Sequence, residues 1–250
     1  MTFRAKTTRL FTVALLCIAT LAAAPPPSWA AKMGGFFEYT VYTKGRIPPE
    51  QYTQTVIVLL HGFLSAMPNG TYYDVSERLG DRYTVIGFNY DYVDVETNRR
   101  EFDSFYDNFL EGREVIVVGT SLGGYWADYF ANRIGARGVA MINPVTDPDA
   151  RATRNLGEHY SEKRDKTITV TEATVAAYAN LEIDRNPETK QLVVLTKDDA
   201  VLDYNIAVEY FQGQENTEIV VFDSGGHHLD LEAHEAMNTI LQFIDGLAQP

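Results

Sequence analysis

Short runs of Val, Ile and Leu recur along the chain, separated by longer stretches in which apolar residues return every three or four positions. Six runs predict strands: Thr55 to Leu60 (TVIVLL), Tyr83 to Phe88 (YTVIGF), Glu114 to Val118 (EVIVV), Gly138 to Ile142 (GVAMI), Gln191 to Leu195 (QLVVL) and Glu218 to Phe222 (EIVVF). Several are apolar at successive positions, as expected of strands covered on both faces. Phe36 to Thr43 is a candidate edge strand. Helical spacing predicts helices over Thr97 to Leu110, Leu122 to Ile134, Asn205 to Phe211 and Leu231 to Leu247. The last carries Ala233, Met237, Ile240, Leu241 and Ile244 on one stripe, fit to pack on a sheet. The alternation predicts an α/β fold with a mostly parallel central sheet and helices on both faces. From Pro144 to Lys190 the strand signal lapses, and Pro148, Gly157 and Pro187 read as breakers. Residues 145–190 are therefore expected to form an insertion over the C-terminal edge of the sheet, where open α/β sheets bind ligands.

The first thirty residues follow a different pattern. Arg4, Lys6 and Arg9 precede an apolar run from Leu10 to Ala24, three prolines follow, and Ser28-Trp29-Ala30 offers small residues at cleavage positions. This predicts a signal peptide over residues 1–30, cleaved after Ala30, with a single domain over 31–250. Fifteen residues fall short of the ~20 needed to cross a bilayer, and Leu16 precedes Cys17 where a lipoprotein signal wants a small residue. The expectation is an exported chain, periplasmic or secreted, with no stable membrane anchor after cleavage.

Composition narrows the function. Of 250 residues, 45% are hydrophobic and 22% charged, which excludes a disordered chain. The net charge of −13 becomes −16 without the three cations of the leader, the opposite of what a general nucleic-acid binder needs. The one cysteine, Cys17, leaves with the leader, so neither a disulfide nor a thiol nucleophile is expected in the mature chain. No Cys/His set has zinc spacing. His227, His228, Asp230 and His234 are close in sequence, but His228 and His234 are six apart and do not share adjacent turns of one helix face, so no metal and no cofactor are expected.

Chemistry concentrates at Gly119-Thr120-Ser121-Leu122-Gly123, a G-x-S-x-G motif that ends a predicted strand and opens a predicted helix. So sharp a turn projects the serine hydroxyl above the sheet, and glycines on either side relieve the crowding. A serine needs a base held by a carboxylate, in the chain order serine, acid, histidine. After Ser121 stand His159, His227, His228 and His234. His159 lies in the insertion and reads as a surface residue; His234 lies within the terminal helix and reads as structural. His227 and His228, directly after the last strand, are the candidate bases, and only one can serve. The acid should follow Gln191 to Leu195, where Asp198, Asp199 and Asp203 stand; Asp203 reads as a helix cap, leaving Asp198 or Asp199. The Leu122 N–H and the Phe63 N–H, the latter in Leu60-His61-Gly62-Phe63-Leu64, are the candidate oxyanion donors, with His61 in support of that loop. Tyr90, Tyr92, Tyr125 and Trp126 are candidates for pocket lining and equally for core.

LHGF at 60–63, GTSLGGYWA at 119–127, INP at 142–144, DAVLDY at 199–204 and SGGHH at 224–228, taken in order, resemble the YqiA-type esterases, small bacterial α/β-hydrolases. The resemblance runs from about Leu60 to Phe243. It implies the α/β-hydrolase fold, with Ser121 as nucleophile, Asp199 as acid and His228 as base. The sequence departs from the family at Ala200, where an acidic residue is frequent, and in carrying a leader. The activity implied is that of a serine hydrolase, a carboxylesterase or thioesterase working through an acyl-enzyme on a small-molecule ester or thioester. An acyltransferase, lipase or peptidase would use the same triad, and a non-catalytic ligand-binding protein of this fold is the reading outside enzymology.

Overall fold

The computed structural model describes residues 41–229 and 234–248. The leader, Phe36 to Thr40 of the expected edge strand, and Asp230 to Ala233 lie outside the described residues. Seven strands form one sheet: β1 (Val41–Thr43), β2 (Thr55–Leu60), β3 (Thr84–Phe88), β4 (Glu114–Thr120), β5 (Gly138–Ile142), β8 (Lys190–Thr196) and β9 (Thr217–Phe222), in the order β1-β3-β2-β4-β5-β8-β9. β1 pairs antiparallel with β3, and every other pair in this sheet is parallel. All six strands read from the sequence are present, with ends moved by at most two residues. This is the α/β-hydrolase fold.

The unbroken apolar runs have a direct cause. In β2, Val56, Val58 and Leu60 face one core, with Phe102, Trp126 and Phe130, while Ile57 and Leu59 face a second, with Tyr72, Ile240 and Ile244. The first core is built with α2 (Val95–Phe105) and α3 (Leu122–Ile134), the second with α1 (Gly70–Leu79) and α7 (His234–Ala248). α2 begins two residues before its expected start because Asp94 caps it, accepting from the Thr97 N–H at 2.9 Å. It then runs into one wider turn, Tyr106–Leu110. α1 escaped the pattern reading because, apart from Leu79, its buried face is only Thr71, Tyr72, Val75 and Ser76, too polar for a stripe.

The expected insertion, where the strand signal lapses, contains α4 (Pro148–Arg154), an antiparallel hairpin of β6 (Gly157–Ser161) and β7 (Lys166–Val170), and α5 (Glu172–Ala179). Pro148 opens a helix where a breaker was expected, since at the first helical position its missing N–H is no loss. Gly157 begins β6, its φ of 118° being open to glycine. α6 (Tyr204–Phe211) is capped by Asp203, as expected, through the Asn205 N–H at 3.0 Å.

Candidate active site

Ser121 sits between β4 and α3 with φ 58° and ψ −123°, a conformation that a non-glycine residue holds only when its surroundings enforce it. The enforcement is visible: its N–H donates to the Ile142 carbonyl at 2.9 Å, and its carbonyl accepts from Gly124 at 2.9 Å and Val145 at 3.1 Å. The motif glycines are steric requirements. A Cβ on Gly119 would lie 2.0 Å from the Gly123 carbonyl oxygen, and one on Gly123 would lie 2.4 Å from the His61 carbonyl oxygen. Helix α3 thus starts against the loop after β2, and Gly62 of that loop faces the Ser121 side chain.

Asp199 accepts from Nδ1 of His227 at 2.7 Å, with the carboxylate 1% and the imidazole 10% exposed. The expectation that Asp199 holds His228 is therefore corrected: the imidazole on the acid is that of His227. The cause lies in the preceding turn. Gly225 and Gly226 both have positive φ, and their N–H groups donate to the Asp198 carboxylate at 3.2 and 2.9 Å. The turn so formed sends His227 back toward β8. Asp198 holds the loop and Asp199 meets the histidine, which separates two acids that sequence alone left together.

Burial pushes the Asp199 pKa up, but the His227 bond and the N–H groups of Val201 and Leu202 outweigh it and leave the carboxyl below its ordinary value. The acid is thus ionised at neutral pH, and it fixes the proton of His227 on Nδ1. His228 packs beside it, ring centroids 4.6 Å apart, and its pKa is lowered by burial and by His227. Ser121, Leu122, Phe63, His227 and His228 all line one cavity of about 210 Å³. Its far wall is the insertion, through Pro148, Ala152, Val170, Thr174 and Tyr178. Of the four candidate aromatics, Tyr92 lines this cavity, whereas Tyr90, Tyr125 and Trp126 are core residues.

Two supporting residues, Asn143 and Arg164, were not assigned a role from the sequence. Asn143, within the INP motif, donates to the carbonyls of Gly226 at 3.0 Å and His227 at 3.1 Å and accepts from the Thr196 N–H at 2.9 Å, tying β5, β8 and the histidine loop together. Arg164, at the tip of the β6–β7 hairpin, donates to His61 Nε2 and to the Tyr90 carbonyl, both at 2.7 Å, and lies over the Tyr92 ring. Tyr90 stacks on His61 and donates to its carbonyl at 2.6 Å. His61 is fully buried; burial, then the Arg164 charge, lowers its pKa to about 3, so it is neutral, with Nδ1 donating to the Gly62 carbonyl and Nε2 accepting from Arg164. The role of His61 in the loop after β2 is thus structural support. His159, expected at the surface, is partly buried, bonded through Nε2 to the Asn155 carbonyl at 2.7 Å and set edge-on to Phe63. Among the described residues no group of three His, Cys, Asp or Glu side chains is placed to hold a metal ion, and no helix is long and apolar enough to cross a membrane.

The sequence pattern of an uncharacterised protein family, UPF0227, matches residues 56–245. The chain belongs to this family, that of the YqiA-type esterases. No curated protein matches the sequence. Among solved structures, the member resembles Est1E from Butyrivibrio proteoclasticus, at 14% identity and a TM-score of 0.65 over 83% of this chain and 92% of that one. It also resembles alpha/beta hydrolase domain-containing protein 10 from mouse, at 16% identity and a TM-score of 0.63 over 84% and 95%. A third is the monoacylglycerol lipase from Paleococcus ferrophilus, at 17% identity and a TM-score of 0.57 over 77% and 95%. At these identities the likeness establishes the fold.

Proposed function

We propose that this UPF0227 member is a serine hydrolase that cleaves small carboxylic esters or thioesters through an acyl-enzyme. The observation that carries the reading is the Asp199–His227 pair opening onto the same cavity as a serine held at φ 58°. The monoacylglycerol lipase among the structural neighbours agrees with it. With Nδ1 bound to Asp199, Nε2 of His227 is the nitrogen free to take a proton. Ser121 Oγ bonds to the substrate carbonyl carbon while its proton passes to His227 Nε2, and the carbonyl π pair moves onto oxygen. The N–H groups of Leu122 and Phe63 stabilise that oxyanion. Collapse breaks the bond to the alcohol or thiol, which leaves with the proton from His227, and water repeats the sequence to release the acid.

The geometry favours His227 over His228 as the base, against the assignment that the family resemblance implies. A cavity of about 210 Å³ is smaller than the roughly 300–1,000 Å³ of sites for drug-sized ligands, which favours short acyl groups. The leader pattern supports a site of action outside the cytoplasm. Ser121→Ala should abolish both hydrolysis of a chromogenic butyrate ester and labelling by a fluorophosphonate, with an unchanged circular dichroism spectrum. Full activity in that variant would remove the assignment.

A further inference from the structure

One side chain in the cavity serves neither the chemistry nor the packing. Among the described residues lining it, Arg151 is the only Lys or Arg, and no Asp or Glu lines it at all. The remainder is apolar, or neutral and polar, apart from the histidine pair. Arg151 belongs to α4, between Pro148 and Ala152, which also line the cavity, and it is partly buried. An arginine in the last turn of a helix ordinarily serves that helix's own terminal carbonyls. Here its guanidinium reaches elsewhere, donating from Nη1 to the Val201 carbonyl at 3.4 Å, on the loop that carries Asp199. That is a long, weak bond, and it leaves most of the five N–H donors to be satisfied.

Six other arginines are committed to a carboxylate or to the loop after β2. Arg82, Arg99, Arg133, Arg137 and Arg185 each lie within 4 Å of a carboxylate, and Arg164 is spent on His61 and Tyr90. Arg46, Arg78, Arg100, Arg113 and Arg154, like Arg151, have no carboxylate partner within 4 Å among the described residues, but none of those five lines this cavity. A guanidinium stays charged at any physiological pH and presents a planar fork that matches a carboxylate. We infer that Arg151 recognises an anionic group on the substrate, so that the preferred substrates are short esters carrying a second, ionised acid, such as half-esters of dicarboxylic acids. This rests on the serine hydrolase reading for the ester bond and adds the acid that accompanies it. The acidic surface does not oppose it: beyond ~8–10 Å salt screens the surface charges, whereas a guanidinium in a partly closed cavity acts on a ligand at contact distance.

The test is a selectivity ratio. Acid release is followed for the ethyl half-ester of succinic acid and for ethyl 4-methylpentanoate, in which two methyl groups replace the carboxylate oxygens at similar volume. A second pair moves the charge to the alcohol side: the butyrate ester of 3-hydroxypropanoic acid against that of 3-methylbutan-1-ol. The wild type should favour the charged member of at least one pair in kcat/KM, and Arg151→Gln should lower that ratio by about 10–100-fold, chiefly through KM. Arg151→Lys should recover only part of it, since a point charge lacks the fork. The pair that responds tells which side of the ester faces Arg151. A preference for the neutral member in both pairs, or ratios unchanged by Arg151→Gln, overturns the inference.

Direct titration of Ser121→Ala protein with the succinate half-ester, with and without Arg151→Gln, reads binding apart from turnover. Binding that depends on Arg151, together with a wild type that neither turns over esters nor takes the fluorophosphonate, would keep the anion site and discard the hydrolase. Labelling and turnover without any dependence on Arg151 would do the reverse.

Discussion

His227 and His228 are neighbours on one loop, yet only His227 reaches Asp199, and the difference should be measurable. His227→Ala is expected to lower kcat by about 10⁴-fold or more, the loss typical of a removed triad base, and His228→Ala by less than about tenfold. Steady-state rates on a butyrate ester decide between them; the reverse order would transfer the base to His228. Asn143 is the second residue whose effect is calculable in kind. Its replacement by alanine leaves the Thr196 N–H without a partner, loosens the carbonyls of Gly226 and His227, and places a residue other than Asn at φ 40°. A stability loss of about 2–4 kcal/mol by urea denaturation is expected, together with a fall in kcat as the histidine loop loses its anchor. At this scale the serine was legible in the sequence because its glycines stand at fixed short spacing on either side of it, even though Gly123 makes room for the distant His61 carbonyl. The choice within Asp198/Asp199 and His227/His228 was not, because it depends on a turn at Gly225 and Gly226 whose donors are collected by a residue 27 or 28 positions away.

At the scale of elements, the hairpin of β6 and β7 joins the machinery through its tip. Arg164 bonds His61 and the Tyr90 carbonyl, and Ser161 donates to the Leu64 carbonyl at 3.0 Å, so the insertion braces the loop that carries Phe63. Arg164→Ala should reduce kcat by about 10–100-fold with a smaller change in KM, as expected when an oxyanion donor is displaced. It should also lower Tm by roughly 4–8 °C, the shift expected for a loss of about 2 kcal/mol in a chain of this size. Unchanged kcat alongside lowered Tm would confine Arg164 to stability. The central strands were readable because each buries both faces, which demands continuous apolar sequence. The hairpin was not, because β6 is largely exposed, with His159 partly buried and Ser161 its only buried residue, and β7 buries only Ile168 and Val170. Such a strand presents almost no hydrophobic pattern to read.

Across the whole molecule, ionisation sets a stability window. Glu101 on α2 is held up to a pKa of about 7 by burial and by the charges of Asp91 and Asp94, against the opposing pull of Arg100 and Arg164. In the unfolded chain it releases its proton near 4.5, so between that pH and about 7 the folded state binds more protons, and stability falls as pH rises. Glu101→Gln should therefore raise Tm at pH 8 and leave it nearly unchanged at pH 4 by differential scanning calorimetry; an equal shift at both would refute the titration. His61 acts in the opposite sense: folded at about 3 and unfolded near 6.5, it removes stability as the medium is acidified below neutrality. The bond from Arg164 to His61 spans 103 positions of sequence and joins the segment over the site to the segment that carries Phe63, the proposed oxyanion donor. Substrate scope in this protein is consequently not a detachable cassette. A chimera that imports another family member's insertion to change the acyl preference must bring the matching loop after β2 with it, or the exchange will alter turnover along with specificity.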